Sequence, residues 1–538
     1  MTALAGFGPL LRLALRRDRV KLAVWLLAVV GMSAYCGTAV RTVYADPADL
    51  KAVVGFVTGP AGIVMSGPGY GLAEPTHGAA FAGVYGVWVL LVSGIASILL
   101  VGRHSRAEEE AGRLELVRAG RVGRAAPLAV AAVIAVAFDA LVLLASWGVL
   151  VAVGFTSGDS ALFAAGVALV GLVFAAVTGV TAQLAEHSRT ATSTAGLLLS
   201  GAMVVRAAGD ILGDAEGRHG SWLSWLSPLA WAQQTRAYVD GRWWPLLLAA
   251  GLAVLLAVAA YALARRRDLG AGLVPARLGH ARAPRWMGSP LGLALRVERG
   301  ALLGWSTALL LAGALYGSLV ASVESSVGQL DSGLLVEVMG GGTGAAVDGY
   351  LGVCVLTAVL MVTGYAVAAA HRAVGEETTG RLGLVLSAAV ARPVWLGSLL
   401  VVAVLGSVVT LAAGGLGMGL GAWSVTGEAA YVGTCLAAHL VYLPAVWVVL
   451  AVAAVGFSLR PGWLAVAWVV LAYAAVVGVL GPALDLPEAV LDVSPFHHVG
   501  MPPLDDPTVG PLVVLAALAV LLAGLALVRF RRRDLATG

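Results

Sequence analysis

Charge is what this sequence has least of. Asp, Glu, Lys and Arg together make up 12% of its 538 residues, about half of what a soluble globular chain carries, and a fold surrounded by water is excluded. Lysine is almost missing, with Lys21 and Lys51 the two lysines among 34 basic residues; this is a coding bias and carries no functional weight. Cys36, Cys354 and Cys435 lie far apart, each in an apolar run, which excludes a disulfide framework and a CxxC metal centre. No G-x-x-x-x-G-K-[ST] occurs, so a Walker phosphate cradle is not expected in this chain. The glycine-rich stretch Gly340–Gly349 lacks the lysine. No nucleophile–base–acid set and no metal-ligand cluster falls on the apolar runs, and His497-His498 supplies too few ligands. No catalytic residue, metal site, resident cofactor or nucleic-acid partner is therefore expected.

What is present is apolar residues, 59% of the chain. They fall in twelve runs, roughly 20–40, 79–101, 126–153, 161–184, 191–212, 244–263, 301–323, 349–370, 394–422, 430–457, 462–482 and 510–528, each long enough to cross a ~30 Å hydrocarbon core as a helix. The fold class predicted is an all-α polytopic membrane protein of about twelve spans. The first run has no small-residue cleavage site and is preceded by "RLALRRDRVK", so it reads as an interfacial helix followed by a span. On that arm Arg12, Arg16 and Arg19 recur at i, i+4, i+7, the spacing of an amphipathic helix.

With both termini on one side, that side holds 28 Lys and Arg against 11 Asp and Glu; the opposite loops hold 5 and 17. The excess of arginine puts both termini in the cytoplasm. Asp139, Arg206 and Asp210 remain inside spans.

The chain also repeats itself. "RRRDLGAG" at Arg265–Gly272 returns as "RRRDLATG" at Arg531–Gly538, and "LALRRDR" at Leu13–Arg19 as "LALRVER" at Leu293–Arg299. "EEEAGRLELV" at Glu108–Val117 returns as "EETTGRLGLV" at Glu376–Val385, each with an arginine twelve residues after its first glycine, Arg124 and Arg392. Blocks in the same order predict two six-span halves, 1–272 and 285–538, joined by a linker at 273–284. An even number of spans per half makes the repeat parallel, with a pathway between the halves.

A charge run is commonly a solvated face. This one occupies the same place in both halves, between the second and third spans, and Leu114, Leu116 and Val117 would form an apolar ridge on a short helix between charged ends. Such a surface suits docking of a soluble partner. Charges inside spans default to functional hypotheses. Arg206 and Asp210, at i, i+4, can pair as an outer gate or substrate contact or as a structural pair; Asp139 has no local partner. Phe81, Tyr85 and Trp88, at i, i+4, i+7, could stack on a flat drug or simply pack.

Taken in order, these blocks resemble the permeases of type-2 class ABC exporters: six spans per half, an amphipathic arm ending in Trp25 or Trp305, an E-x-x-G-x-L-x-L…R loop after the second span, and a Ser-Pro segment before the sixth. With "GPGYGL" at Gly67–Leu72 and "RAAGD" at Arg206–Asp210, the fused form is similar to the actinobacterial drug and polyketide-antibiotic exporter permeases of the tetronasin-resistance type. The resemblance implies a multi-pass bacterial plasma-membrane subunit that extrudes hydrophobic molecules by alternating access. Two copies of a separate ATPase subunit would bind ATP and magnesium. It makes Glu108, Glu109, Gly112 and Arg124 one ATPase-coupling loop, and Glu376, Glu377, Gly380 and Arg392 the other. Thr378, Gly383, Leu386 and Ala389 replace Glu110, Glu115, Arg118 and Arg121, so equal coupling of the halves is not expected. A proton-coupled secondary carrier with two parallel repeats stays open as the alternative.

Overall fold

In a computed structural model of the chain, the structure describes residues 4–44, 50, 60–72, 74–112, 120, 122–123, 125–213, 221–268, 270–275, 282–329, 343–484 and 487–535. Among these residues the regular structure is helical, with no strand. Among the described residues, twelve helices are long and apolar enough to cross a membrane: α1 (Phe7–Thr42), α2 (His77–Glu110), α3 (Ala126–Val153), α4 (Ser157–Leu184), α5 (Ser188–Ile211), α6 (Pro245–Arg266), α7 (Pro290–Glu324), α8 (Gly344–Thr378), α9 (Arg392–Thr426), α10 (Ala430–Leu459), α11 (Pro461–Gly478) and α12 (Val509–Arg532). The protein is an all-α polytopic membrane protein. A bilayer core offers backbone groups no hydrogen-bond partners, so each span satisfies its own as a helix.

The chain divides into two compact units, Met1–Gly279 and His280–Gly538, six spans in each. In the first unit α4 is central and packs against α2, α3 and α6, with Phe81, Leu162, Phe163 and Phe174 in the core. In the second unit α8, α9 and α10 are central, around Tyr442, Trp395, Phe457 and Phe530.

The arms differ from the two-part expectation. Residues Phe7–Val43 form one unbroken helix, and Pro290–Gly317 likewise carries its arm straight into the span. No glycine or proline separates Arg12 from Trp25, and nothing else there stops a helix. At 1.5 Å per residue the first of these is about 55 Å long, well beyond a ~30 Å hydrocarbon core, so its arginine-bearing end stands clear of it.

Glycine sets the packing of α9. A Cβ on Gly417 or Gly421 would collide with the α7 backbone at Leu310 or Ala314, and one on Gly415 or Gly419 with the α10 backbone. Gly313 and Gly317 make the reciprocal approach from α7. Small residues facing one another let helix backbones touch, the common device for helix association in lipid.

Candidate functional site

At the arginine-rich end of the first unit, α2 runs past the arm of α1 and ends at Gly112. Both Gly112 (φ +69°) and Gly380 (φ +74°) are left-handed, and their N–H groups donate to Glu109 O and Glu377 O, 3.0 Å each. The glycine of each E-E-x-x-G block is thus the helix stop that glycine alone makes without strain.

The three acids before Gly112 point in three directions, and each is held. The Arg17 guanidinium on α1 donates to Glu108, with one bond of 2.9 Å. Ser188, at the start of α5, donates its backbone N–H (3.0 Å) and its hydroxyl to Glu110, and His187 Nδ1 lies 3.2 Å away. A carboxylate there also meets the positive end of the α5 dipole. Glu109 is buried. Arg267 donates to both of its oxygens, 2.7 and 2.6 Å, in the planar fork that suits a carboxylate. Arg106 Nη1 adds a bond of 2.9 Å and the Gly270 N–H one of 2.7 Å.

"RRRDLGAG" is folded around this acid. Gly270 is left-handed (φ +80°), which turns its N–H toward Glu109 and its carbonyl toward Arg106, 2.7 Å from Nη2. Gly272 has no room for a side chain against Leu184 and Ala185. Arg267 Nε also donates to Gln183 of α4 (2.7 Å), and Arg106 Nε to the Glu186 carbonyl just beyond it (2.7 Å). The ends of α2, α4 and α6 are therefore tied at one point.

The second unit carries the same junction from the second copy of each motif. Arg533 donates to buried Glu377, and its Nη1 to the Phe457 carbonyl in the last turn of α10, 2.7 Å, one of the carbonyls a helix end leaves without an internal partner. Its guanidinium lies over the Phe457 and Phe530 rings, 4.9 and 5.2 Å from their centroids. Arg392 Nη1 donates to the Arg533 carbonyl, 2.6 Å, adding the start of α9. Glu376 stays within its own loop, 3.5 Å from Arg381.

A second pair of ties fixes the arms. Asp18 is buried and accepts from Arg103 Nε at 2.8 and 2.9 Å, with His104 Nε2 3.2 Å away. Glu298, its counterpart on α7, lies 2.7 Å from Arg372 Nε, and Arg372 Nη1 donates to the Val297 carbonyl, 3.1 Å.

Sequence reasoning placed the acids in a loop but missed their partners. The repeat of RRRDL was visible, yet nothing local says that its third arginine closes on a glutamate 158 residues away. Of the other loop residues, Arg124 lies outside the described residues, as do Leu114, Leu116 and Val117. Their second-unit counterparts sit on a short helix, Arg381–Ser387, and do not form one ridge. Leu382 is buried and Leu384 is 74% exposed.

The in-span candidates are scattered through the first unit. Phe81 is buried at the opposite end, where a π-helical turn (Phe81–Tyr85) seats it against Phe155, Phe163 and Tyr238, ring centroids 5.4, 4.9 and 6.2 Å away. It is core; Tyr85 and Trp88 are half-buried. Burial pushes the Tyr238 phenol above its ordinary value, and its hydroxyl lies 3.0 Å from that of Ser160. Asp139 is buried, with Ser97 Oγ donating at 3.2 Å and Gly171 leaving it space. Arg206 and Asp210 do pair, at 3.4 Å. Arg206 also donates to the Val64 carbonyl near the end of helix Pro60–Ser66, and Ser224 Oγ donates to Asp210 at 2.7 Å. Gln233 Nε2 donates to the Ser66 carbonyl, 2.8 Å. The pair thus holds helix Pro60–Ser66 and the segment at Ser224 onto α5. An apolar cavity of about 220 Å³ opens among α2, α3, α4 and α6, lined by Val101, Ala135, Leu172 and Val254.

A family model described as the multidrug efflux system permease Rv1217c, C-terminal domain, matches residues 8–265 and 287–531. The multidrug efflux system permease protein Rv1217c of Mycobacterium tuberculosis is 35% identical over 534 residues, covering 98% of this chain and 95% of that protein. With matches of this extent lying over all twelve spans and both clasped loops, the chain belongs to the family of multidrug efflux system permeases.

Proposed function

We propose that the chain is the membrane subunit of an ABC exporter of the type-2 class, moving hydrophobic drug-like molecules outward by alternating access, with both termini cytoplasmic. Two copies of a separate ATPase subunit would bind ATP and magnesium and press on the loops after the second span of each half. The observation that carries this reading is the pair of arginine-rich ends. In each, an acidic block closes on a glycine stop and is anchored by a buried ion pair to the span ends behind it. A solvated charge run has no need of such an anchor, whereas a loop that receives force does. Family membership supports efflux, and the lack of a Walker motif in the sequence agrees with energy arriving from another chain.

Glu109 and Glu377 face inward, so contact with the ATPase would fall to exposed groups, Leu384 and Arg381 first. The test is whether a neighbouring reading frame encodes an ATPase with Walker motifs and co-purifies with the chain, and then whether ethidium, as the transported probe, stimulates its hydrolysis. Leu384→Glu should cut retained ATPase and stimulated hydrolysis about tenfold, as loss of a central apolar contact does, while the chain still elutes as a single folded species. Full retention would place the docking surface elsewhere. The carrier reading rests on Asp139, a buried carboxyl between α2 and α4. Efflux that follows the proton gradient, ignores ATP depletion and is abolished by Asp139→Asn would replace the ABC reading.

A further inference from the structure

The ion pairs at the two junctions do more than close the ends of each unit. We propose that Arg267 and Arg533 are positioning residues for energy coupling: each locks the acid at the root of its unit's loop to the ends of that unit's fourth and sixth spans, so that a thrust on the loop moves the second, fourth and sixth spans together. The inference rests on the ATP-driven reading above and assigns the transmission to named residues.

A loop joined to its bundle only by the chain would absorb a displacement by bending at its root. Here the root is pinned. In the first unit the Arg267 fork holds both oxygens of Glu109 and, through Nε, Gln183 of α4. In the second, Arg533 holds Glu377 and the Phe457 carbonyl of α10 while its guanidinium plane rests over two rings. Arg267 and Arg533 each directly follow the last residue of a sixth span, α6 or α12. An exposed ion pair, screened by water, would yield under load. A buried pair is strongly disfavoured to break from one side, because the remaining charge is left uncompensated. Buried pairs seldom add net stability over apolar packing, and what they supply is a fixed geometry. The ion pair of the first unit recurs in the second from the second copy of both motifs, with different surroundings: a second arginine and Gly270 in one, aromatic rings in the other.

The test uses the chain assembled with its ATPase in inside-out vesicles, reading ethidium moved per ATP hydrolysed. Glu377→Gln and Arg533→Gln should each lower that ratio about tenfold with the ethidium KM unchanged, and the double variant should fall no further, since partners in one pair are non-additive. Arg533→Lys, which keeps the charge but not the separate donor to the Phe457 carbonyl, should lie between wild type and Arg533→Gln. It carries the test should the glutamine variant fail to fold. A double variant down about 100-fold, or a ratio unmoved in Arg533→Lys and the glutamine variants alike, would overturn the proposal. A second readout is independent of ATP. In the purified chain, Arg533→Gln or Arg533→Lys should speed hydrogen exchange of amides 373–379, and unchanged exchange would equally overturn the clasp. Ethidium uptake by wild-type vesicles without ATP, with exchange still accelerated in the variants, would instead refute the ATP-driven reading and leave the clasp standing.

Discussion

Single residues decide how tightly the second unit is zipped. Gly417 faces α7 where a Cβ would collide with the Leu310 carbonyl, and backbone cannot rotate out of the way as a side chain can. Gly417→Leu must push α7 and α9 apart, at a cost of about 3 kcal/mol or more. The expected result is a large fall in the thermal midpoint or loss of monodisperse protein. Gly148 on α3 is the control, because nothing lies within 4 Å of its added Cβ. Gly148→Leu should change stability by less than about 1 kcal/mol, since a better helix former replaces glycine at an open site. The two glycines are indistinguishable in the sequence, each set in an apolar run. The distinction belongs to the neighbouring helix, and at this scale the sequence says which residues are small but not which of them must be.

Elements were far more legible than contacts. Twelve apolar runs announce twelve helices because a bilayer leaves a crossing chain little other choice, and the observed ends differ mainly where polar arms continue a helix past the membrane. The i, i+4, i+7 arginines marked the arm as helical. They gave no sign that Asp18, between Arg17 and Arg19, turns inward to Arg103 and His104. Such a pairing depends on how α1 lies across α2, which no local pattern encodes. The same limit hid Arg267 from Glu109, although both sat in motifs already marked as repeated. The prediction at this scale concerns the arm. Asp18→Asn leaves the basic groups at the end of α2 without their buried acid and should destabilise the chain by about 2–4 kcal/mol. The change should be read by thermal unfolding in detergent. Arg12→Gln, on an exposed face of the same helix, should stay within about 0.5 kcal/mol. Equal effects from the two would mean that the arm is held by its apolar face and not by the ion pair.

Across the whole chain, two halves built from matching motifs are not matched in their ties. In the first unit the loop root is fastened to α1 by Glu108–Arg17, to α6 by Glu109–Arg267 and to α5 by Glu110–Ser188. The second unit keeps the middle tie as Glu377–Arg533. At the counterparts of Arg17 and Glu110 it has Val297 and Thr378, which cannot make ionic ties. The recurring motifs were readable in the sequence, and so was the loss of charge, but the consequence needed the partners. Amides 105–111 should therefore exchange with solvent more slowly than amides 373–379 in the purified chain, because local opening must break every tie that spans the segment. The difference should also be transferable. Arg372 already binds Glu298 and the Val297 carbonyl, so α7 at position 297 meets α8 one helical turn before Glu376. Val297→Arg offers Glu376, which pairs with Arg381 of its own loop, a partner on the arm, and one partly exposed ion pair is worth about 0.2–1 kcal/mol. Exchange of 373–379 should slow by about 2- to 5-fold, while 105–111 stays as it was. An unchanged rate would mean that the arms of the two units meet their second spans differently, and the unequal anchoring would then have to arise from the packing of the arms and not from the missing charge.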